Sequence, residues 1–373
     1  MNTHTIVVIS LTILCFLGGG VPRALAATPH TGVVVGPLEV SGWIPYWRKA
    51  TGTAEALVHL DLFTEINPFG YTVKQDGSLY DAMEVDKEPL PTLVRAAQAK
   101  KIRVIPTVMW SNGDAIESIL KNPTSRTAHV KAIVDMVYSH NFDGVDIDYE
   151  GKKASTKPYF SLFLKELYAA MGKKWVMCSI EPRTPLNSRY DTIPSDIEYA
   201  NDYIAINKYC DRVRLMAYDQ GAIDIRLNEK SIGPYIPVAD PKWVEKVVTL
   251  AAQTISKKKI VLGIPTYGYE YQVTALTQGY RYKLQWAFNP RYALDLARQI
   301  AISPQRNTAG ELSFMYSPTS TPASTPPLAN ILWWSDGLAI RDKILLARTL
   351  GLRGVALFKI DGGADPILWN ILQ

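Results

Sequence analysis

Cysteine is scarce, with three in 373 residues. Two of them, Cys178 and Cys210, lie beyond the N-terminal segment. Two cysteines do not make a disulfide framework, so the fold must rest on an ordinary core. Both fall in or beside neighbouring strand candidates, so one bridge is conceivable; two small buried hydrophobes is the simpler expectation. The five histidines are scattered. No Cys/His spacing fits a metal centre, and neither metal nor cofactor is expected. Charged residues make up 20% against 47% hydrophobic, which excludes a disordered chain. The net charge of +5 comes without long basic runs. Short clusters such as Lys100-Lys101 and Lys257-Lys258-Lys259 precede strand-like stretches and read as solvated helix ends, so nucleic acid is not an expected partner. Beyond the N-terminus no apolar run reaches the length that spans a bilayer.

The N-terminus itself is different. Ile6 to Gly20 is almost wholly apolar, and Ala24-Leu25-Ala26 is a small-x-small cleavage pattern. A signal peptide over 1–26 and a secreted or extracytoplasmic mature chain over 27–373 are expected. Only the α-amine and His4 supply positive charge before the apolar run, which leaves an uncleaved anchor as the alternative. Leu14 before Cys15 does not fit a lipoprotein signal.

From residue 38 onward, short β-branched or apolar runs alternate with amphipathic ones. Strands are predicted at Leu38–Tyr46, Leu62–Tyr71, Ile102–Met109, Gly144–Tyr149, Trp175–Glu181, Val213–Tyr218, Ile260–Pro265 and Gly354–Ile360. Helical patterns such as Thr127–Ser139, Tyr159–Met171, Trp243–Ile255 and Leu338–Leu350 lie between them, with Ser125 and Asp336 as helix caps. Eight strand–helix repeats in one chain predict an α/β fold, a closed (β/α)8 barrel rather than a doubly wound sheet. The rhythm breaks after the seventh strand. A small α+β insertion is expected at about 270–335, with a helix at Arg291–Ile302 and a hairpin of Leu312–Tyr316 with Ile331–Trp334. Its tip is the Ser/Thr/Pro-rich stretch Ser317–Pro327.

The chemistry sits in Phe142-Asp143-Gly144-Val145-Asp146-Ile147-Asp148-Tyr149-Glu150. Strand side chains alternate, so Asp146, Asp148 and Glu150 share one face and Val145, Ile147 and Tyr149 the other. In a barrel the apolar row meets the outer helices, and the acids climb the interior toward the C-terminal mouth where barrel enzymes work. Carboxylates spaced roughly 6–7 Å apart cannot all ionise cheaply in a low-dielectric interior. Glu150, the outermost, would keep a proton and donate it to a leaving oxygen. Two other readings fit the pattern: an antiparallel strand with a solvated acidic face, and a Mg²⁺ or Ca²⁺ site, for which no second acidic cluster completes the oxygen cage.

The segment Asp143-Gly144-Val145-Asp146-Ile147-Asp148-Tyr149-Glu150 resembles the strand-four signature of family-18 glycoside hydrolases. Met216-Ala217-Tyr218-Asp219 resembles their strand-six motif, Leu262 through Tyr269 their strand seven, and Arg353 through Pro366 strand eight of the branch that includes spore-germination and cortex-lytic N-acetylglucosaminidases. The resemblance spans about residues 38–373. It implies hydrolysis of β-1,4 bonds next to N-acetylglucosamine in peptidoglycan or chitin-like glycans, by a retaining mechanism in which the substrate's acetamide is the nucleophile. Glu150 would then be acid and base. Asp148 would hold the acetamide N–H, Asp146 would share a proton with Asp148, and Tyr218 would hold the acetamide carbonyl. Asp219 would touch the sugar or tune Glu150. Met216, Tyr267, Phe358, Trp110, Phe69 and Tyr46 are substrate-binding candidates, and Trp43, Trp47, Tyr71 and Tyr269 stand near the same mouth. Trp333 and Trp334 read as insertion core. Two positions depart from the pattern. Phe358 replaces a usual tryptophan, and Pro106 through Trp110 replaces a Ser-x-Gly-Gly stretch. The expected partner is an N-acetylglucosamine-containing poly- or oligosaccharide, with no obligate protein partner and a monomeric state. A non-catalytic lectin on the same barrel is the alternative; such members lose the acid that Glu150 supplies here.

Overall fold

A computed structural model describes residues 37–317 and 329–373. The expected signal peptide, and the expected tip of the insertion apart from Ser317, lie outside the described residues. Eight parallel strands close on themselves. They are β1 (Glu39–Pro45), β2 (Glu65–Val73), β3 (Thr107–Trp110), β4 (Gly144–Tyr149), β5 (Trp175–Ile180), β6 (Arg212–Leu215), β7 (Ile260–Pro265) and, after the insertion, β12 (Gly354–Phe358). Pairing runs in chain order, and β12 returns to β1 with Trp43 opposite Phe358.

Helices α1 (Lys49–Val58), α2 (Leu90–Ala99), α3 (Gly113–Lys121), α4 (Pro123–Ser139), α5 (Lys157–Met171), α6 (Tyr203–Tyr209) and α7 (Pro241–Ala251) occupy the connections, and α9 (Gly337–Thr349) precedes β12. Asp336 caps α9, accepting from the Ala339 N–H. The other predicted cap is displaced. Asn122 caps α4 by accepting from Ser125, and Pro123 takes the first turn, where a missing N–H costs nothing. The row Val145, Ile147 and Tyr149 is fully buried with Phe160 and Phe163 of α5 in the main core. Each such burial contributes about 1.5–3 kcal/mol.

The insertion is larger than a hairpin. Leu312–Tyr316 (β10) and Ala329–Trp334 (β11) pair antiparallel. Two further strands, β8 (Gly268–Ala275) and β9 (Tyr280–Phe288), extend the sheet, with β8 between β9 and β11. The helix α8 (Pro290–Gln299) supplies Ala293 and Ala297 to a separate small core with Phe288, Phe314, Leu332 and Trp334.

The two cysteines are bridged, against the simpler expectation. Cys178 lies in β5, Cys210 just before β6, and the strands are neighbours that pair Cys178 with Val213. Their Cα atoms stand 5.9 Å apart, within reach of a bridge. Closing a loop of 32 residues stabilises the fold by about 3–4 kcal/mol on a chain-entropy account.

Candidate active site

Register decides which side chains converge at the barrel mouth. Thr107 lies opposite Asp146 and Ser179 opposite Asp148, so inward faces of β3, β4 and β5 meet. The three acids of β4 then fall into three different settings.

Asp146 is deepest and fully buried. It accepts from Trp43 Nε1 at 3.0 Å, Thr107 Oγ1 at 2.9 Å and Ser179 Oγ at 2.9 Å, and its Oδ1 lies 2.8 Å from the Arg214 guanidinium. Arg214 also pairs with Glu65 inside the barrel. Asp146 is thereby held by four donors. Both Asp146 oxygens accept from these donors.

Asp148 lies one step higher, beside Glu150. Burial, then the charges of Glu150 and Asp146, push its carboxyl well above the ordinary range. Its Oδ1 is buried and has no hydrogen-bond partner among the described residues. Glu150 is also raised, by burial first and then by the neighbouring charge of Glu181. The physical entity is a coupled Asp148–Glu150 pair that retains a proton toward neutral pH.

These groups open into a cavity of about 290 Å³ lined by Trp43, Phe69, Asp148, Glu150, Glu181, Pro182, Met216, Tyr218, Asp219 and Phe358. Tyr218 stacks on Phe358 with ring centroids 5.7 Å apart and planes 15° from parallel. Asp219 accepts from the Tyr267 and Tyr269 hydroxyls. An adjoining cavity of about 450 Å³ shares Asp219 and Phe358 and is walled by Trp47, Arg48, Tyr267, Tyr269, Ala287, Phe288, Asn289, Lys359 and Asp361. The cleft is therefore built by the barrel mouth and the insertion together.

Of the sequence candidates, Glu150, Asp148, Tyr218, Asp219, Met216, Phe69 and Phe358 line the first cavity and Tyr267 lines the second. Trp110 does not reach either. Its ring packs against His129 and Tyr149 in the core, because strand parity puts it on the outward face with its register partner Tyr149. Tyr46 packs at the core edge against Trp47, and it is the half-exposed Trp47 that borders the cleft. Tyr71 is buried core. Trp333 and Trp334 are buried in or beneath the insertion sheet. Four charged cleft groups escaped the sequence reading: Glu181, Arg48, Lys359 and Asp361. Glu181 was legible, since parity from the inward-facing Ser179 puts it at the C-terminal end of the strand, on the same face.

Comparison with known proteins bears on this geometry. Residues 42–363 match the family described as glycosyl hydrolases family 18. The chain belongs to that family. The family-18 barrel is a glycosidase. It is 23% identical over 263 residues to YvbX, an uncharacterized glycosylase of Bacillus subtilis, covering 70% of each chain. It is 21% identical over 313 residues to a cortical fragment-lytic enzyme of Bacillus cereus, covering 82% of this chain and 66% of that one. Among solved structures, the Bacillus megaterium spore cortex-lytic enzyme SleL shares the fold at a TM-score of 0.70 and 22% identity, over 90% of this chain and 73% of that one. A class V chitinase of Pseudomonas fluorescens does so at 0.72 and 19%, over 90% and 99%.

Proposed function

We propose that this family-18 barrel hydrolyses β-1,4 bonds on the reducing side of N-acetylglucosamine by a retaining, substrate-assisted route, and that its natural glycan is peptidoglycan. The observation that carries the mechanism is Asp148 Oδ1, buried beside the cavity with no protein donor. An unpaired buried oxygen of this kind costs about 1–3 kcal/mol. Once the carboxyl rotates to bring it into the cavity, an acetamide N–H from the bound sugar would satisfy it and turn the carbonyl oxygen toward the anomeric carbon. Tyr218, buried beside it, would hold that oxygen in place. Glu150 protonates the departing glycosidic oxygen as the acetamide oxygen closes on the anomeric carbon. It then takes a proton from the water that opens the ring intermediate, which restores the original anomeric configuration. Asp148 stabilises the positive charge of that intermediate.

The choice of glycan rests on the second cavity. Arg48 and Lys359 converge there on Asp361, so two cations share one carboxylate. The other acid of that cavity, Asp219, is already covered by two tyrosine hydroxyls. A surplus cation in a sugar cleft suits a glycan whose repeating unit bears a carboxylate, as muramic acid does and chitin does not. The relatives named as cortex-lytic agree with this reading. The N-terminal signal expected from the sequence fits an extracytoplasmic substrate.

Digestion of purified peptidoglycan and chito-oligosaccharides side by side, with Glu150→Gln as control, tests the reading. The wild type should cleave the first faster. The variant should lose at least about 10²-fold, the low end of a general acid's contribution. Equal rates for wild type and variant would remove Glu150 as the acid.

A further inference from the structure

Immediately after Glu150 the chain turns through Gly151 and folds back on an acid from the next strand. The Gly151 N–H donates to Glu181 Oε1 at 3.1 Å. Asn201 Nδ2 donates to Glu181 Oε2 at 2.7 Å. Lys152 Nζ donates to the Tyr149 carbonyl and lies 3.7 Å from Glu181 Oε2. The lysine side chain is only 1% exposed, whereas Glu181 is 36% exposed and lines the same cavity as Glu150. A buried lysine beside catalytic carboxylates is costly to desolvate, so its partners must hold it in place.

We propose that Lys152 and Glu181 are positioning residues for Glu150: their contacts fix the turn that presents the acid, and their opposite charges set how tightly it keeps its proton. This rests on the reading of Glu150 as the acid.

The charged groups around Glu150 come from several elements. Asp148 and Asp146 lie below it on its own strand, Glu181 at the end of β5, Asp219 after β6, and Lys152 in the turn. Tyr218 stays neutral, its hydroxyl pushed up by burial. Of the charges, Glu181 and Asp219 raise Glu150 and Lys152 lowers it. Burial, opposed by these carboxylates, brings Lys152 itself below the ordinary lysine range. Glu181 accepts from Gly151 and Asn201 and lies beside a cation, so its oxygens are engaged in the turn rather than free to act as a nucleophile.

The test is the pH profile of kcat/KM on a soluble glycan that the wild type cleaves. Its basic limb reports loss of the acid's proton. Removing the negative charge with Glu181→Gln should move that limb to lower pH. Removing the positive charge with Lys152→Met should move it to higher pH. Each displacement should be on the order of one unit, with turnover retained. The conservative variant Lys152→Arg should return the limb to its wild-type place. Limbs that stay put, or that move in the same direction, overturn the proposal. So does a Glu181→Gln variant that is dead yet rescued by azide, which would make Glu181 a nucleophile. Should Lys152→Met not fold, the Glu181→Gln displacement decides alone. Glu150→Gln is assayed in parallel. If it keeps full activity the acid assignment itself is wrong, whereas a dead Glu150→Gln with unmoved limbs condemns only the pair.

Discussion

Asp146, Asp148 and Glu150 occupy one face of one strand, yet their surroundings differ enough to give each a different task. Asp146 is held by Arg214 and three neutral donors. Asp148 is buried and short of a donor, and Glu150 opens on the cleft beside Glu181. Strand parity alone reveals the shared face. It cannot reveal Arg214, which comes from β6, or Trp43 from β1, because those contacts depend on barrel closure. The same holds for Arg48 and Lys359, which are 311 positions apart in sequence and meet only because β12 pairs with β1. At this scale the substrate reading makes its sharpest prediction. Arg48 is 47% exposed and held loosely, with its Nε 3.7 Å from Asp361. Arg48→Gln should therefore leave folding intact. It should lower kcat/KM on peptidoglycan strands several-fold, the size of a partly exposed charge-assisted contact of about 1 kcal/mol. Chito-oligosaccharide cleavage should hardly change. Equal losses on both substrates, measured in parallel, would sink the carboxylate-recognition reading.

Elements are joined by side chains whose roles only packing discloses. His129 of α4 is buried where the turn after β2, the end of β4 and α5 meet. Its Nδ1 donates to the Gly77 carbonyl at 2.6 Å, so Nε2 is left to accept from the Tyr149 hydroxyl. That arrangement requires the neutral ring, and burial accordingly lowers its pKa from 6.5 to about 4. The sign follows. Below pH 6.5 the unfolded chain binds the proton first, so stability present above 6.5 is lost as pH falls to about 4 and changes no further below it. The loss amounts to about 3 kcal/mol. Denaturant unfolding of wild type and His129→Gln between these pH values checks it: the wild type should lose the additional stability and the variant should not. Parallel curves would contradict the assignment. Among elements, the barrel strands were legible because each is a short apolar run between helical patterns. Strands β8 and β9 were not. Tyr280–Phe288 is mostly exposed and mixes Tyr, Arg, Lys and Gln, so neither an apolar run nor a clean alternation marks it. Its pairing with β8 supplies what the pattern lacks.

At the scale of the molecule, the catalytic strand belongs to the barrel and much of the second cavity to the insertion. The two are tied together by buried groups. Glu311 of the insertion accepts from the Val238 and Ala239 N–H groups after β6 and from Trp333 Nε1, and it lies 3.5 Å from the buried Lys343 of α9. Docked in this way, the insertion brings Ala287, Phe288 and Asn289 to the cleft beside Phe358. Phe358 itself meets Trp43, Phe69, Tyr218 and Tyr267 at centroid distances of 5.7–6.0 Å, an aromatic floor assembled from five strand ends. In the mechanism proposed above that floor positions a sugar so that its own acetamide can attack, and this is the central claim. The most direct measurement is kcat/KM for aryl glycosides whose reacting sugar carries an acetamide bearing zero, one, two or three fluorines. Fluorine weakens the carbonyl oxygen as a nucleophile while leaving the leaving group, and Glu150's task, unchanged. Rates that fall stepwise with each fluorine are the predicted result; rates indifferent to fluorination would contradict it.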